Sequence, residues 1–434
     1  MNTPRKRKQR GDTLSLAQQL ETASKETVKA VYDLDLKTAL DSDVRDVRFA
    51  AGMRIRDLAK NILASVKQDN RFPGDRTLHI AYDSASSGCL YPMQVAERMI
   101  QRTIRSGSGE EAIDWMLKVL GTKKAAGKMI EALWGVPVDQ EIALTKSVKI
   151  VPIADLPDGP QKRMLTEYKF GASDSVLMTS LDFVQPKSAL VLERAVAPLV
   201  FDPTGNGIDQ DKAKAYVADE ALLGEITLAL TVVGPRVPIS AYIWFAYNDP
   251  DIQLAVSMNA RRMRALEILP HKSEEYPPLD PTEAVEIVNA YLNLDDPTKG
   301  KVRLALQRLN QAQRRRSVGD RALELAIAFE ALLGQGNAEM THKITVRSTR
   351  LFGGDGEERK RNVALMKEMY QIRSTLVHEG KDATGAKKIL NAKIPVDAII
   401  DEAVLKCVEL IKTIIRRGSI PEWSEWDVLE HSPD

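Results

Sequence analysis

The chain has 434 residues, 44% of them hydrophobic and 28% charged, a make-up that fits a folded globular protein of more than one domain and excludes disorder throughout. Aromatic residues are only 5%, which favours helix over an aromatic-rich sandwich, and the two cysteines, Cys89 and Cys407, are too few for a disulfide framework or a cysteine zinc module. The net charge of +1 conceals a segregation: residues 1–150 carry +6, 151–300 carry −9, 301–417 carry +9 and the last 17 carry −5. A basic module able to meet an anion such as RNA is one reading of these blocks, and solvated charged faces are the other.

No apolar run approaches the ~18 residues of a transmembrane helix. The N-terminal MNTPRKRKQR has no apolar segment behind it, so no secretory signal is expected and a cytoplasmic protein is. Residues 1–13 read as a disordered basic tail. Helical spacing runs from about Leu14 to Asn70, broken near Asp41–Asp43. The segment Asn70–Pro92 is rich in turn residues: Pro73, Gly74, Ser84, Ser86, Ser87 and Gly88. Three shorter helices are expected near 92–106, 109–120 and 123–134.

The middle third mixes periods. Glu141–Ile153, Leu190–Phe201 and Val237–Tyr247 read as strands, and Asp211–Leu230 reads as a helix. Asp202–Ala213 (DPTGNGIDQDKA) resembles a calcium loop, but its twelfth position is Ala213 rather than a bidentate Glu, so it is rejected. No GxxxxGK[ST], GxSxG or HExxH occurs, and the five histidines do not pair at metal-ligand spacing.

The last third is helical. Helices are expected over Thr282–Leu294 and Lys299–Gln313, split by Asp295, Asp296 and Pro297. Ser317 opens a capping box with Asp320, and Val318, Ala322, Leu325, Ala326, Phe329, Leu332 and Leu333 then form a core face ended by Gly334. A shorter helix near 339–352 carries Arg347 and Arg350. A long one follows Pro395, with Ile400, Ala403, Val404, Cys407, Val408, Ile411 and Ile415 inward.

Between these two lies ERKRNVALMKEMYQIRSTLVHEG, residues 358–380. At about 100° per residue, Val363, Met366, Tyr370 and Val377 form one stripe, and Leu365, Met369, Ile372 and Leu376 form another on the opposite side. Arg373, Ser374 and His378 share an arc of about 140° around the first stripe. Gly380 is placed to end the helix. A self-pairing of the first stripe in a twofold dimer would bring two arginines and two histidines to one cleft.

The whole is therefore expected to be α+β and multidomain, mainly α-helical. Its expected parts are the tail 1–13, a helical N-terminal region 14–135, a mixed α/β regulatory or sensing domain 136–280, an all-α helical bundle 281–418 and an acidic tail 419–434.

The run Arg373-Ser374-Thr375-Leu376-Val377-His378 resembles the Arg-x4-His motif of HEPN domains, and the surroundings resemble the Apea-like branch of that family. SVGDRALELAIAFEALLGQG (317–336) is similar to its first core helix, with Glu330 in the acidic position. KITVRSTRLFGG (343–354) is similar to its second, with Arg347 at the usual arginine, and YQIRSTLVHEGK (370–381) to its motif helix, Tyr370 included. The likeness covers about residues 300–417. Ser374 departs from the Asn, Asp or His common after the arginine, and Glu379 separates the histidine from the glycine.

The resemblance implies a homodimeric HEPN endoribonuclease that cleaves RNA without metal or cofactor. His378 would act as general base on the ribose 2′-OH or as acid to the leaving oxygen, because imidazole exchanges protons near neutral pH. Arg373 would neutralise the charge developing on phosphate, and Ser374 would orient one of the two. Arg314, Arg315, Arg316, Arg347, Arg350 and Tyr370 would contact RNA, with Glu330 and Asp320 as structural supports. Such proteins resemble toxins and abortive-infection effectors of antiviral defence, so a phage-derived trigger or an antitoxin is an expected partner and tRNA a candidate substrate. The alternative is a non-catalytic HEPN module that binds RNA, nucleotide or protein, or merely dimerises.

Overall fold

The computed structural model describes residues 14–28, 33–42, 44–166, 185–203, 210–256, 261–263, 276–334 and 339–427. The basic tail 1–13, the centre of the rejected calcium-like loop (204–209) and residues 428–434 of the acidic tail lie outside them.

In chain order the elements are helix α1 (Leu16–Ser24), strands β1 (Thr27–Val28) and β2 (Leu34–Asp35), helices α2 (Leu36–Asp41) and α3 (Arg45–Gln68), strands β3 (Leu78–Ala81) and β4 (Ser87–Leu90), and helices α4 (Pro92–Ser106) and α5 (Gly109–Gly121). Strands β5 (Ala125–Trp134), β6 (Ile142–Ala143) and β7 (Val148–Pro152) follow, then α6 (Pro160–Thr166), β8 (Ser188–Val196), β9 (Val200–Phe201), α7 (Gln210–Ala229), β10 (Ile239–Tyr247), α8 (Pro250–Val256) and β11 (Arg261–Met263). The C-terminal part holds α9 (Pro281–Leu292), α10 (Asp296–Arg314), α11 (Val318–Leu333), α12 (Met340–Phe352), α13 (Gly356–Glu379), the hairpin β12 (Ala386–Ile389) and β13 (Ala392–Pro395), α14 (Val396–Arg417) and α15 (Trp423–Trp426). The protein is thus mixed α+β, with sheets in its N-terminal and middle parts and a helical C-terminal region.

The chain divides into two compact units, each discontinuous in sequence: Met1–Lys128 with Arg194–Tyr216 and Phe245–Ala260, and Met129–Glu193 with Val217–Trp244 and Arg261–Asp434. In the first, α1, α3, α4 and α5 pack on one another, and β4-β3-β9 make a three-stranded antiparallel sheet. The second contains the C-terminal bundle and most of a six-stranded sheet ordered β11-β10-β5-β8-β7-β6.

One expectation is overturned at β5. Residues 123–134 are expected to be helical, yet Ala125–Trp134 is a strand buried along most of its length. Ile130, Leu133 and Trp134 are inaccessible or nearly so on both of its faces, which erases the period-2 signal, and cross-strand packing outweighs intrinsic helix propensity. The turn-rich stretch 70–92 likewise contains β3 and β4.

The C-terminal helices follow their patterns. Ser317 caps α11 by accepting from the Asp320 amide at 3.1 Å, and every predicted core residue of α11 and α14 is buried. Asp295 caps α10, with Pro297 in the first turn. α11 packs against α10, α12, α13 and α14. The acidic tail is not separate where it is described: Trp423 of α15 is buried, donating its indole N–H to the Leu332 carbonyl at 3.1 Å. No helix among the described residues is long and apolar enough to cross a membrane.

Candidate functional site

Helix α13 begins at Asp355, whose carboxylate accepts from the Glu357 and Glu358 amides at 2.9 Å each, with Glu358 reaching back to close a capping box. It ends at Gly380, in the left-handed region (φ 65°) that a residue with a Cβ rarely enters. Leu365, Met369 and Ile372 are buried from one stripe, and Met366 and Tyr370 from the other. Both faces are therefore covered over the middle turns, from Asn362 to Ile372, by α11, α12 and α14, while Gly356–Lys360 are exposed.

The last turns leave that core. Arg373 and Ser374 are half-buried, Val377 is 47% exposed and His378 is exposed. Arg373 and His378 are five positions apart, about 7.5 Å along the axis. The Arg373 Nε is buried and has no hydrogen-bond partner among the described residues. A buried donor without an acceptor costs about 1–3 kcal/mol, a cost that an ordered water or a bound acceptor would relieve.

Tyr370 stands beside Arg373 and reaches α11. Its hydroxyl donates to a Glu330 carboxylate oxygen at 3.3 Å and lies 3.5 Å from the Ala326 carbonyl. Burial above all, and the Glu330 charge, push the phenol far above its ordinary range, against the opposing pull of Arg373. Tyr370 is only 7% exposed and cannot stack a base, so the expectation that it contacts RNA is corrected: it is a neutral core residue backing the motif.

Arg347 is corrected in the same way. It is 2% exposed, and its donors are spent on the Leu333 carbonyl and, at 3.1 and 2.6 Å, on the two oxygens of Asp427. Its guanidinium lies 5.0 Å from the Trp423 ring centre. Arg350 donates to the Trp426 carbonyl at 2.6 Å. Both arginines fasten α15 to α12. Sequence cannot show that a residue 80 positions away takes these donors.

The arginine run divides. Arg314 is half-buried and lines a polar groove of about 500 Å³ with Glu131, Thr227, Ser240, Gln307 and Asn310. Arg315 is exposed and bonds Glu324 at 2.9 Å, while Arg316 is also exposed. The start of α11, just beyond them, meets the end of α13: the Gly319 amide donates to Asp382 at 2.7 Å, and Leu376 packs on Gly319. The exposed arginines and the Arg373–His378 turn thus occupy one end of the bundle.

Sequence reasoning missed a further basic element there. The β12–β13 hairpin pairs Lys388 with Lys393 and packs against α13, and Lys381, Lys388 and Lys393 are exposed. The signal was the run AKKILNAKIP, whose alternation around a tight turn marks a hairpin.

Among the described residues no group of three His, Cys, Asp or Glu side chains is placed to hold a metal ion. The chain matches no family model, no curated protein and no solved structure.

Proposed function

We propose that this protein is an endoribonuclease of the HEPN kind, acting through Arg373 and His378 without metal. The observation that carries the reading is the buried, unpartnered Arg373 Nε on the same last turns of α13 as the exposed His378. The exposed Arg315, Arg316, Lys381, Lys388 and Lys393 at the same end supply charge for a phosphate backbone.

His378 takes the proton of a ribose 2′-OH as that oxygen bonds to the adjacent phosphorus. The bond from phosphorus to the 5′-oxygen breaks, and the leaving oxygen is protonated by an imidazolium. Arg373 donates to the phosphoryl oxygens, where negative charge grows. Ser374 stands between the two on the helix surface and orients one of them. In a homodimer built on the half-exposed end of α13, two copies supply the base and the acid. The products are a 2′,3′-cyclic phosphate and a 5′-hydroxyl. A toxin or abortive-infection effector, restrained by the rest of the chain or an antitoxin until a phage-derived trigger arrives, is the role proposed for it, with tRNA a candidate target.

The test is cleavage of bacterial RNA in EDTA, with product ends mapped. Cyclic phosphate ends on RNA and intact DNA support the reading. Cleavage that leaves 5′-phosphate ends refutes the 2′-OH mechanism.

A further inference from the structure

The three-stranded sheet of the first unit carries a second constellation, independent of the nuclease reading. His79 on β3 and Cys89 on β4 are direct register partners. The Cys89 sulfur lies 3.4 Å from His79 Nε2, and the other ring nitrogen, Nδ1, lies 3.1 Å from the Ser87 hydroxyl. Residues 87, 89 and 91 share one face by strand alternation, while Ile80 and Leu90 are buried on the other. Tyr91, on the same face, has its phenol held above the ordinary range by a hydrogen bond to the Cys89 sulfur and by its charge. The Phe201 ring of β9 flanks the imidazole, centre to centre 5.6 Å. The strand ends also carry an ion pair, Arg76 with Asp202 at 4.0 Å.

This is the order of groups found in an activated nucleophile: a thiol, a base within reach of it, and a third group orienting the base. With the ring proton on Nδ1, donated in a hydrogen bond to the Ser87 hydroxyl oxygen, Nε2 is left as the acceptor facing sulfur. The site is open, with His79 and Cys89 half-buried, Ser87 exposed and Tyr91 48% exposed. Thr77 and Tyr91 line a groove of about 960 Å³ with Phe49, Met53 and Arg56 of α3. Tyr91, two residues on from Cys89, joins that groove to the thiol's strand, though neither Cys89 nor His79 lines it.

We propose that Cys89 is a nucleophilic thiol activated by His79 and a site of reversible modification by low-molecular-weight disulfides. His79 Nε2 takes the thiol proton. The thiolate attacks one sulfur of the disulfide, a new S–S bond joins it to Cys89, and the old S–S bond breaks. The departing thiolate takes the proton back from the imidazolium, so no other oxidant is needed.

The full-length protein gives a clean readout, because its only other cysteine, Cys407, is wholly buried. Iodoacetamide labelling at about pH 6.5, where a free thiol is almost all protonated, is followed by intact mass. Wild type is expected to label once, at least about tenfold faster than free glutathione. His79→Gln slows this about tenfold at unchanged circular dichroism, Ser87→Ala slows it less, and Ser87→Thr restores it. Oxidised glutathione adds one adduct that dithiothreitol removes, and none to Cys89→Ser. Wild-type labelling no faster than glutathione overturns the proposal whatever the variants do. So does labelling of a folded His79→Gln as fast as wild type, or the absence of a glutathione adduct.

Discussion

Gly319 and Leu376 lie so close that a β-carbon on Gly319 would stand 2.9 Å from the Leu376 Cβ, and 3.0 Å from the Asp382 oxygen that the Gly319 amide already meets. This approach joins the start of α11 to the end of α13 and so brings the exposed arginines to the Arg373–His378 turn.

Gly319→Ala therefore forces the two helices apart. Overpacking of this kind costs about 1–3 kcal/mol, and the gain from replacing a helical glycine returns up to about 1 kcal/mol. A fall in melting temperature of several degrees is expected, with RNA cleavage reduced because the basic end is displaced. Thermal denaturation and a cleavage time course check both.

Arg347→Ala should act on stability rather than on RNA. It removes a buried cation from the exposed Asp427 and a donor from the Leu333 carbonyl, and losing hydrogen bonds to a charged group of this kind costs about 1.5–3 kcal/mol. The salt dependence of RNA binding by whatever protein remains folded should match wild type. Denaturant titration and a binding series in KCl separate the two effects.

Asp427 gives that clamp an acid limit. The hydrogen bond from Arg347 holds its carboxyl below the ordinary carboxylate range, so the folded state binds this proton less readily than the unfolded chain. Its contribution is therefore whole above the unfolded value of about 4 and fades as pH falls through the folded value. Asp427→Asn should be less stable than wild type at pH 7, and the difference should shrink on acidification. Melting curves from about pH 7 to pH 3 test this.

Much of the C-terminal third was legible because its ends are chemically marked: Ser317 and Pro395 open helices and Gly380 closes one, with apolar spacing between. The clustering of Arg373, Ser374 and His378 on one arc followed from helical period alone. What stayed hidden depends on distant partners. Arg347 reads as a free cation in sequence, and only the fold brings Asp427 and Trp423 around it. β5 looked helical because its neighbours bury both faces. His79 and Cys89, ten residues apart in a stretch of turn residues, meet only through strand register.

Lys381 and the hairpin lysines should bind phosphate rather than catalyse. Replacing Lys381, Lys388 and Lys393 with Ala in a His378→Ala background should weaken RNA binding and lower the slope of log affinity against log salt by about 2, roughly 0.7 per lost contact with single-stranded RNA. An unchanged slope would place the RNA elsewhere. Fluorescence anisotropy over a range of KCl concentrations reads it.

The central claim is that Arg373 and His378 are the reacting pair. The most direct measurement is the single-turnover rate of RNA cleavage in EDTA by wild type, Arg373→Ala and His378→Ala, each shown by circular dichroism to be folded and by sedimentation to share one oligomeric state. The account predicts that wild type cleaves and that each variant loses at least about 100-fold, since positioned acid–base and phosphate-neutralising groups each contribute that much. Variants that cleave as fast as wild type would contradict it.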